Sequence, residues 1–233
     1  MAVFDQRMKP MELNGRYWLC GATIIGRRYV LTASGCLNTT DGMYRNVIAG
    51  IYNREAIDER DGEQIRSVVE YHIHPVFVHT RRKDFNIALL RVHPPFIFND
   101  YVQPACLPSQ NVESYDDVIV MGWGQDGFIT KLVGSLKQYH AYVEPDCTLS
   151  ARENFDKDRL ICVKDGSSTS ISCPGDAGGP LLNAQNNQYT VVGINSYHSN
   201  CNSSKELIDP IGFTSVFTYK KWIHSLIEPE KTL

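Results

Sequence analysis

The stretch Cys173-Pro174-Gly175-Asp176-Ala177-Gly178-Gly179-Pro180 decides how this chain reads. At its centre stands Ala177, whose methyl group is no nucleophile and cannot attack a carbonyl. Three other stretches belong with it: Cys20-Gly21-Ala22-Thr23-Ile24-Ile25, Val30-Leu31-Thr32-Ala33-Ser34-Gly35-Cys36, and Asp84-Phe85-Asn86-Ile87-Ala88-Leu89-Leu90-Arg91.

Together these segments resemble the signature segments of the chymotrypsin-like (trypsin-family) serine proteases. Those are Gly-Asp-Ser-Gly-Gly-Pro, Cys-Gly-Gly-Ser-Leu-Ile, Val-Leu-Thr-Ala-Ala-His-Cys and Asp-Ile-Ala-Leu-Leu. The resemblance implies that Ala177 occupies the place of the nucleophilic serine, Gly35 that of the general-base histidine and Asn86 that of the orienting aspartate. All three reacting groups are then replaced. One missing oxygen would fit an engineered substitution in an active enzyme; three losses fit natural decay. Asp84 is a poor substitute for the aspartate. In a strand it would share a face with Asn86 but sit roughly 6–7 Å along it, and it would have no imidazole to orient. His72, His74 and His79 read as solvated or loop-packing histidines, with His74-Pro75 matching a common family loop feature. Ser34 and Ser172 carry hydroxyls but no evident base. The backbone N–H groups of Gly175 and Ala177 could still form an oxyanion hole, and in this family the loss of a triad member leaves a modest rate over water.

The resemblance also locates a specificity pocket. The residue at its base lies six before the nucleophile and is Ile171, where trypsins need a carboxylate to pair a substrate Lys or Arg. The family's Ser-Trp-Gly strand reads Ser196-Tyr197-His198, putting an imidazole where glycine normally lets another backbone approach. Pro-Gly-Val-Tyr-Thr reads Pro210-Ile211-Gly212-Phe213-Thr214, with a branched side chain at a second wall position. Ile171, Tyr197, His198 and Ile211 therefore imply an occluded pocket. Active relatives expose an Ile-Val-Gly-Gly terminus whose ammonium pairs with the aspartate before the serine. That aspartate is Asp176, and no Ile-Val-Gly-Gly occurs in this sequence. A buried unpaired carboxylate is costly, so Asp176 must find another donor, stay exposed or take a proton.

With 233 residues the chain can bury a substantial core. Its 42% hydrophobic and 21% charged content fit a folded soluble protein. A net charge of −3 leaves no nucleic-acid footprint, and no run of eighteen apolar residues suggests a membrane helix. Arg81-Arg82-Lys83 reads as a solvated loop. The first residues carry no apolar run of the kind a signal peptide needs, so Met1 reads as the start of a trimmed chain. None of the cysteine spacings suggests zinc. The resemblance pairs Cys20 with Cys36, Cys147 with Cys162 and Cys173 with Cys201. Three bridges imply an oxidising compartment and hence secretion to the extracellular space. Cys106 is left over, either buried and free or deprived of the partner that relatives supply. Asn38-Thr39-Thr40 and Asn202-Ser203-Ser204 are glycosylation sequons. The Ile51–Gln64 loop is acidic, but its first position for a calcium ligand, in the resemblance, is Ile51, which offers no side-chain oxygen. A solvated loop is favoured there; no metal and no cofactor are expected.

Short runs rich in Val, Ile and Tyr recur, among them Ala22–Ile25, Tyr29–Ala33, Asn46–Ile51, Ile65–Ile73, Ile87–Val92, Val118–Gly122, Tyr189–Asn195 and Gly212–Val216. The turns Asp61-Gly62 and Asp126-Gly127 support an antiparallel reading. Trp222, Ile223, Leu226 and Ile227 share a helical face that Pro229 closes, and a second short helix is expected over Glu144–Asn154. The resemblance runs from Cys20 to Ile227. It implies an all-β fold of two six-stranded Greek-key barrels with a C-terminal helix. Residues 1–112 form the first barrel, 113–233 the second with the helix, and the join lies near residues 108–116.

Three functions compete: a dead, secreted binding protein on a protease scaffold, an enzyme of altered mechanism, and an engineered dead protease. The first is favoured. Within it, the pattern of decay resembles the inactivated serine protease paralogues of the scabies mite, relatives of the mite group 3 allergens. That narrower resemblance implies a partner among host complement proteins and immune evasion as the role. Other non-catalytic decoys or regulators are the alternative. Nucleic acid, membrane and small-molecule substrates are not expected as partners.

Overall fold

The computed structural model of the chain describes residues 2–6, 18–37, 45–53, 62–126, 129–132, 134–147, 155–165, 176–185, 188–197 and 211–227. The β-branched runs become short antiparallel strands. In the first half these are β1 (Ala2–Gln6), β2 (Trp18–Ile24), β3 (Tyr29–Thr32), β4 (Arg45–Ala49), β5 (Gln64–Ile73) and β6 (Ala88–His93). They close into a barrel in the order β1-β2-β3-β6-β5-β4. In the second half, β7 (Asp117–Gly122) is followed by a two-stranded sheet of β8 (Gln125–Asp126) and β9 (Ile129–Leu132). Then come β10 (Lys137–Val143), β11 (Leu160–Asp165), β12 (Pro180–Gln185), β13 (Gln188–Tyr197) and β14 (Ile211–Ser215). A second barrel closes as β10-β11-β14-β13-β12-β7. Closure removes the exposed sheet edges that would otherwise invite pairing with other chains. The fold is all-β with two six-stranded barrels and a C-terminal helix.

Periodicity explains which strands are deepest. β5 turns Ile65, Ser67, Val69 and Tyr71 to solvent and keeps the intervening residues more enclosed, the two-residue alternation of a half-wet strand. Its neighbour β6 has no such alternation: Ala88, Leu89, Leu90 and Val92 are all buried. The segment joining the barrels is stitched to both. Ala105 donates its N–H to the Ile24 carbonyl at 2.9 Å, and Cys106 donates to Tyr189 O at 2.8 Å.

Among the described residues there are two α-helices, α1 (Pro75–Thr80) and α2 (Lys220–Leu226). Ile223 on α2 is fully buried in one apolar cluster with Ile24, Leu89 and Leu90 of the first barrel, and Trp222, Leu226 and Ile227 pack against that cluster. The end of the chain thus seals the core of its beginning. Burying Ile223 alone contributes roughly 1.5–3 kcal/mol. Among the described residues no helix is long and apolar enough to cross a membrane.

Candidate functional site

The positions that the resemblance assigns to the triad come from three places in the chain, and two of them are in direct contact. Gly35 lies on an exposed bend in a 3-10 turn, Ser34–Leu37, straight after β3. Asn86 ends a second 3-10 turn, Lys83–Phe85, before β6. The two meet: the Gly35 N–H donates to Asn86 Oδ1 at 2.8 Å. A Cβ added to Gly35 would lie 3.6 Å from that oxygen, so any side chain at 35 would begin beside residue 86. Asn86 is 7% exposed. Its carboxamide accepts from the backbone as one oxygen of a carboxylate would, without placing a charge in a buried site that has no imidazolium to balance it. Ser34 is not a spare nucleophile, because its hydroxyl is buried and donates to Ile87 O at 2.6 Å.

Ala177 comes from the other barrel. Gly21 on β2 donates its N–H to Ala177 O at 2.7 Å, and Cys36 Sγ, next to Gly35, lies 3.8 Å from the same oxygen. The following residues are fixed as tightly: Gly178 N–H donates to Asn195 O and Gly179 N–H to Asp176 O, each at 2.9 Å. Gly178 has φ +78°, and a Cβ there would overlap Thr32 Oγ1 and Gly21 O. Glycine is required on both counts. Gly178→Ala adds a left-handed penalty of about 1–2 kcal/mol and overpacking of about 1–3 kcal/mol. At about 2–4 °C per kcal/mol for a chain of this size, a fall in melting temperature of about 4–20 °C is expected in thermal unfolding followed by circular dichroism.

Asp176 is buried, 8% exposed, with Oδ1 accepting the Gly124 N–H at 2.8 Å. Its carboxylate lies against the backbone of Gly122 and Gly124, so close that a Cβ at either would overlap it. Of the three outcomes expected for this group, it takes another donor. Gly175, the other half of the expected oxyanion hole, lies outside the described residues, as do Ile171, His198, Ser172, Cys173, Cys201, Asn38, Asn202 and residues 54–61 of the acidic loop. Tyr197 ends β13 and pairs in register with Gly212 on β14. Ile211 is 5% exposed and belongs to the apolar core of the second barrel with Val163 and Phe213. Among the described residues no group of three His, Cys, Asp or Glu side chains could hold a metal ion.

Asp84 is not on a strand; it sits in the 3-10 turn Lys83–Phe85, fully buried. The strand begins only at Ala88, because Asn86 N–H turns back to Lys83 O. Both Asp84 oxygens are gripped by Arg82, at 3.0 Å from Nε and 2.7 Å from Nη2, and Arg159 Nη1 stands 3.9 Å away. The hydrogen bond to Asp84 raises the pKa of Arg82. Tyr219 donates its hydroxyl to Asp84 O at 2.6 Å, and burial pushes that phenol well above its ordinary range. Asp84 therefore joins α1, the second barrel and α2, and orients nothing at Gly35.

His74 lies beside this cluster. Its ring is 5.2 Å from Phe85, 5.0 Å from Tyr219 and 5.3 Å from Trp222, and Nδ1 is buried with no hydrogen-bond partner. Burial, then the Arg159 charge, holds its pKa below the usual 6.5. The folded state therefore binds fewer protons than the unfolded chain in the window below pH 6.5, and stability is lost as pH falls through that window. A lower melting temperature at pH 5.5 than at pH 7.5 is expected, and His74→Gln removes that difference. Glu70, lowered chiefly by its hydrogen bond from Arg91, acts below pH 4.5 and does not overlap. His72 instead meets Glu70 at 3.1 Å, and His79 is exposed.

Among the described residues two disulfides are formed, Cys20–Cys36 and Cys147–Cys162; the expected Cys173–Cys201 pair lies outside them. The first clips the turn that carries Gly35 to β2. Cys106 is a free thiol and is exposed, not buried. Bridges of this kind mark an oxidising, extracellular setting.

Two closed barrels, with one site drawn from both, define the chymotrypsin-like architecture. The trypsin family pattern matches residues 5–223, and the chain belongs to the trypsin-like serine protease family. It is 32% identical to chymotrypsin-like elastase family member 1 of Rattus norvegicus over 228 residues, spanning 92% of this chain and 82% of that protein. It is 31% identical to the Homo sapiens protein of that name over 225 residues, 92% of this chain and 83% of that one. With coagulation factor XI of Bos taurus it shares 29% identity over 210 residues, 88% of this chain and 33% of the factor.

Proposed function

We propose that this chain is a non-catalytic serine protease homologue, secreted, that acts by binding a macromolecule. The observation that supports the reading is the juxtaposition at the site. The Gly35 N–H reaches Asn86 Oδ1 at 2.8 Å, and the loop bearing Ala177 is tied to β2 at 2.7 Å. The frame that would hold a triad is kept, while a hydrogen, a carboxamide and a methyl group stand where the base, the aspartate that orients it and the nucleophile would be. Acyl transfer needs a nucleophile with a base in hydrogen-bond reach, and Ser34 and Asp84 are committed elsewhere. The test is an active-site-directed fluorophosphonate together with a panel of fluorogenic peptides. No labelling and no turnover above background are expected; stoichiometric labelling of a cleft residue would sink the reading.

For the partner, the proposal is a host complement component, and for the lineage, the inactivated serine protease paralogues of the scabies mite. What supports it is the joint loss at Gly35, Asn86 and Ala177 together with Ile171 and His198 at the pocket positions. Complement proteases share this fold, so a dead copy could take a docking surface meant for one of them. Fold alone does not carry that role, and direct binding has to test it.

A further inference from the structure

A groove of about 590 Å³ lies on the second barrel, away from Gly35 and Asn86 in the chain and lined by none of the substituted positions. It is lined by the bridged Cys147 and Cys162, by Leu160 and Ile161, and by residues 111, 112, 114, 143–146, 157 and 158. The charged groups lining it are Glu144, Asp146 and Asp158 against Lys157. The adjoining turn adds Glu113 and Asp116, while Asp117, at the start of β7, is met by His140 at 2.9 Å. Of the nearby cations, Arg159 is already taken by Asp156 at 2.7 Å, while Lys164 stands 3.9 Å from Glu144.

One tyrosine adjoins the groove. Tyr115 follows the lining residue Ser114, donates its N–H to Val143 O at 2.8 Å, and leaves its side chain 72% exposed. Its φ is +69°, a conformation that a bulky residue rarely adopts. An exposed tyrosine beside a concave groove has the make-up of a protein-binding hot spot.

We infer that this groove is a docking site for an arginine- or lysine-bearing segment of a partner protein. The charge of the lining selects the occupant: Glu144, Asp146 and Asp158 outnumber Lys157 and the Lys164 that pairs with Glu144, which favours a cation, and the exposed face of Tyr115 favours a guanidinium laid over it. The inference rests on the binding reading above and names where and what that reading binds. The tyrosine, acidic and disulfide features come from segments far apart in sequence, which the β10–β11 pairing and the Cys147–Cys162 bridge bring together.

The probe is a fluorescein-labelled peptide of alternating arginine and glycine, titrated against the whole chain by fluorescence anisotropy. A peptide with glutamate for arginine is the control. Saturable binding of the arginine peptide is expected, weaker by about ten-fold or more in Glu144→Lys/Asp146→Lys and in Tyr115→Asn. Asparagine suits a left-handed backbone, so that variant removes the ring without threatening the fold. Val69→Ser/Tyr71→Ser on β5 is expected to bind as the parent does. Equal binding by the groove variants, or equal binding of the glutamate peptide, overturns the assignment. Complement lysis measured on the same variants separates the two ideas. Inhibition that survives in the groove variants refutes the groove and leaves the binding function standing. A parent protein that binds the arginine peptide but inhibits nothing refutes the complement reading and leaves the groove standing.

Discussion

Restoring Gly35→His, Asn86→Asp and Ala177→Ser together is expected to leave the protein unable to cleave after lysine or arginine. The frame itself can receive these groups. A Cβ at residue 35 starts 3.6 Å from Asn86 Oδ1, and the Ala177 carbonyl is already held by the Gly21 N–H. The obstacle is selection of the substrate. With Ile171 at the position expected for the pocket base, a basic side chain entering there would meet no counter-charge. Leaving a buried charge unpaired costs about 3–5 kcal/mol. That is a factor of roughly 10² to several thousand in rate, before any steric block from His198. The measurement is kcat/KM on Lys- and Arg-ester and amide substrates, beside a fluorophosphonate titration that counts competent sites. Labelling with no Lys or Arg cleavage is the expected pair of results. Efficient cleavage would show that the pocket is open and charged by some other group.

The same triple variant bears on stability. In Asn86→Asp alone, a carboxylate replaces an amide at a site 7% exposed, with the Gly35 N–H as its donor and no histidine beside it. Its cost should shrink when Gly35→His is added, because an imidazolium would then face it. A double-mutant cycle reads that coupling directly.

The strands that carry long aliphatic runs were legible from sequence. Tyr29–Ala33 is β3 almost to the residue, and Ile65–Ile73 is β5 less its first position. The strand β10 was not, because Lys137, Gln138, His140 and Tyr142 face solvent and dilute its signal. α1 was hidden for the opposite reason. Pro75-Val76-Phe77-Val78 looks extended by propensity, but proline at the first turn and a hydrogen bond from Phe77 N–H to His74 O start a helix. A second helix expected from Glu144 is not present through Cys147; the remainder of that expectation lies outside the described residues. The positions proposed for the triad were read from the flanking motifs that survive around them. The placement of Asp84 could not, since Arg82 is near in sequence but Arg159 and Tyr219 arrive only through the packing of the second barrel and α2. The retained loop geometry around Gly178 was equally invisible: one glycine among several, whose need for a positive φ and for room beside Thr32 shows only in three dimensions.

The protein is expected to inhibit complement-mediated lysis and to do so from its outer surface. A cleft closed at Ile171 and His198, as proposed, would not supply the deep pocket that anchors a substrate side chain, and affinity would come from area and a few hot spots. A stable interface needs roughly 800 Å² per partner, with most of its energy in a handful of aromatic or arginine contacts. Surface residues on a closed double barrel can supply these without disturbing either core. Tyr52, Tyr71, Tyr101, Tyr115, Tyr142 and Tyr189 are all at least half exposed, which is the raw material such hot spots use. The lysis assay should therefore show dose-dependent protection at micromolar protein. Direct binding to purified components should identify one that is retained. Tryptophan placed in the cleft at Gly35 is expected to leave binding within about two-fold, while alanine at the tyrosine that anchors the contact should cost about 2 kcal/mol or more, some thirty-fold in Kd. No protection and no retained component would end the complement assignment. Loss of binding in the cleft variant, with the surface tyrosine variants unaffected, would move the contact back into the old active site.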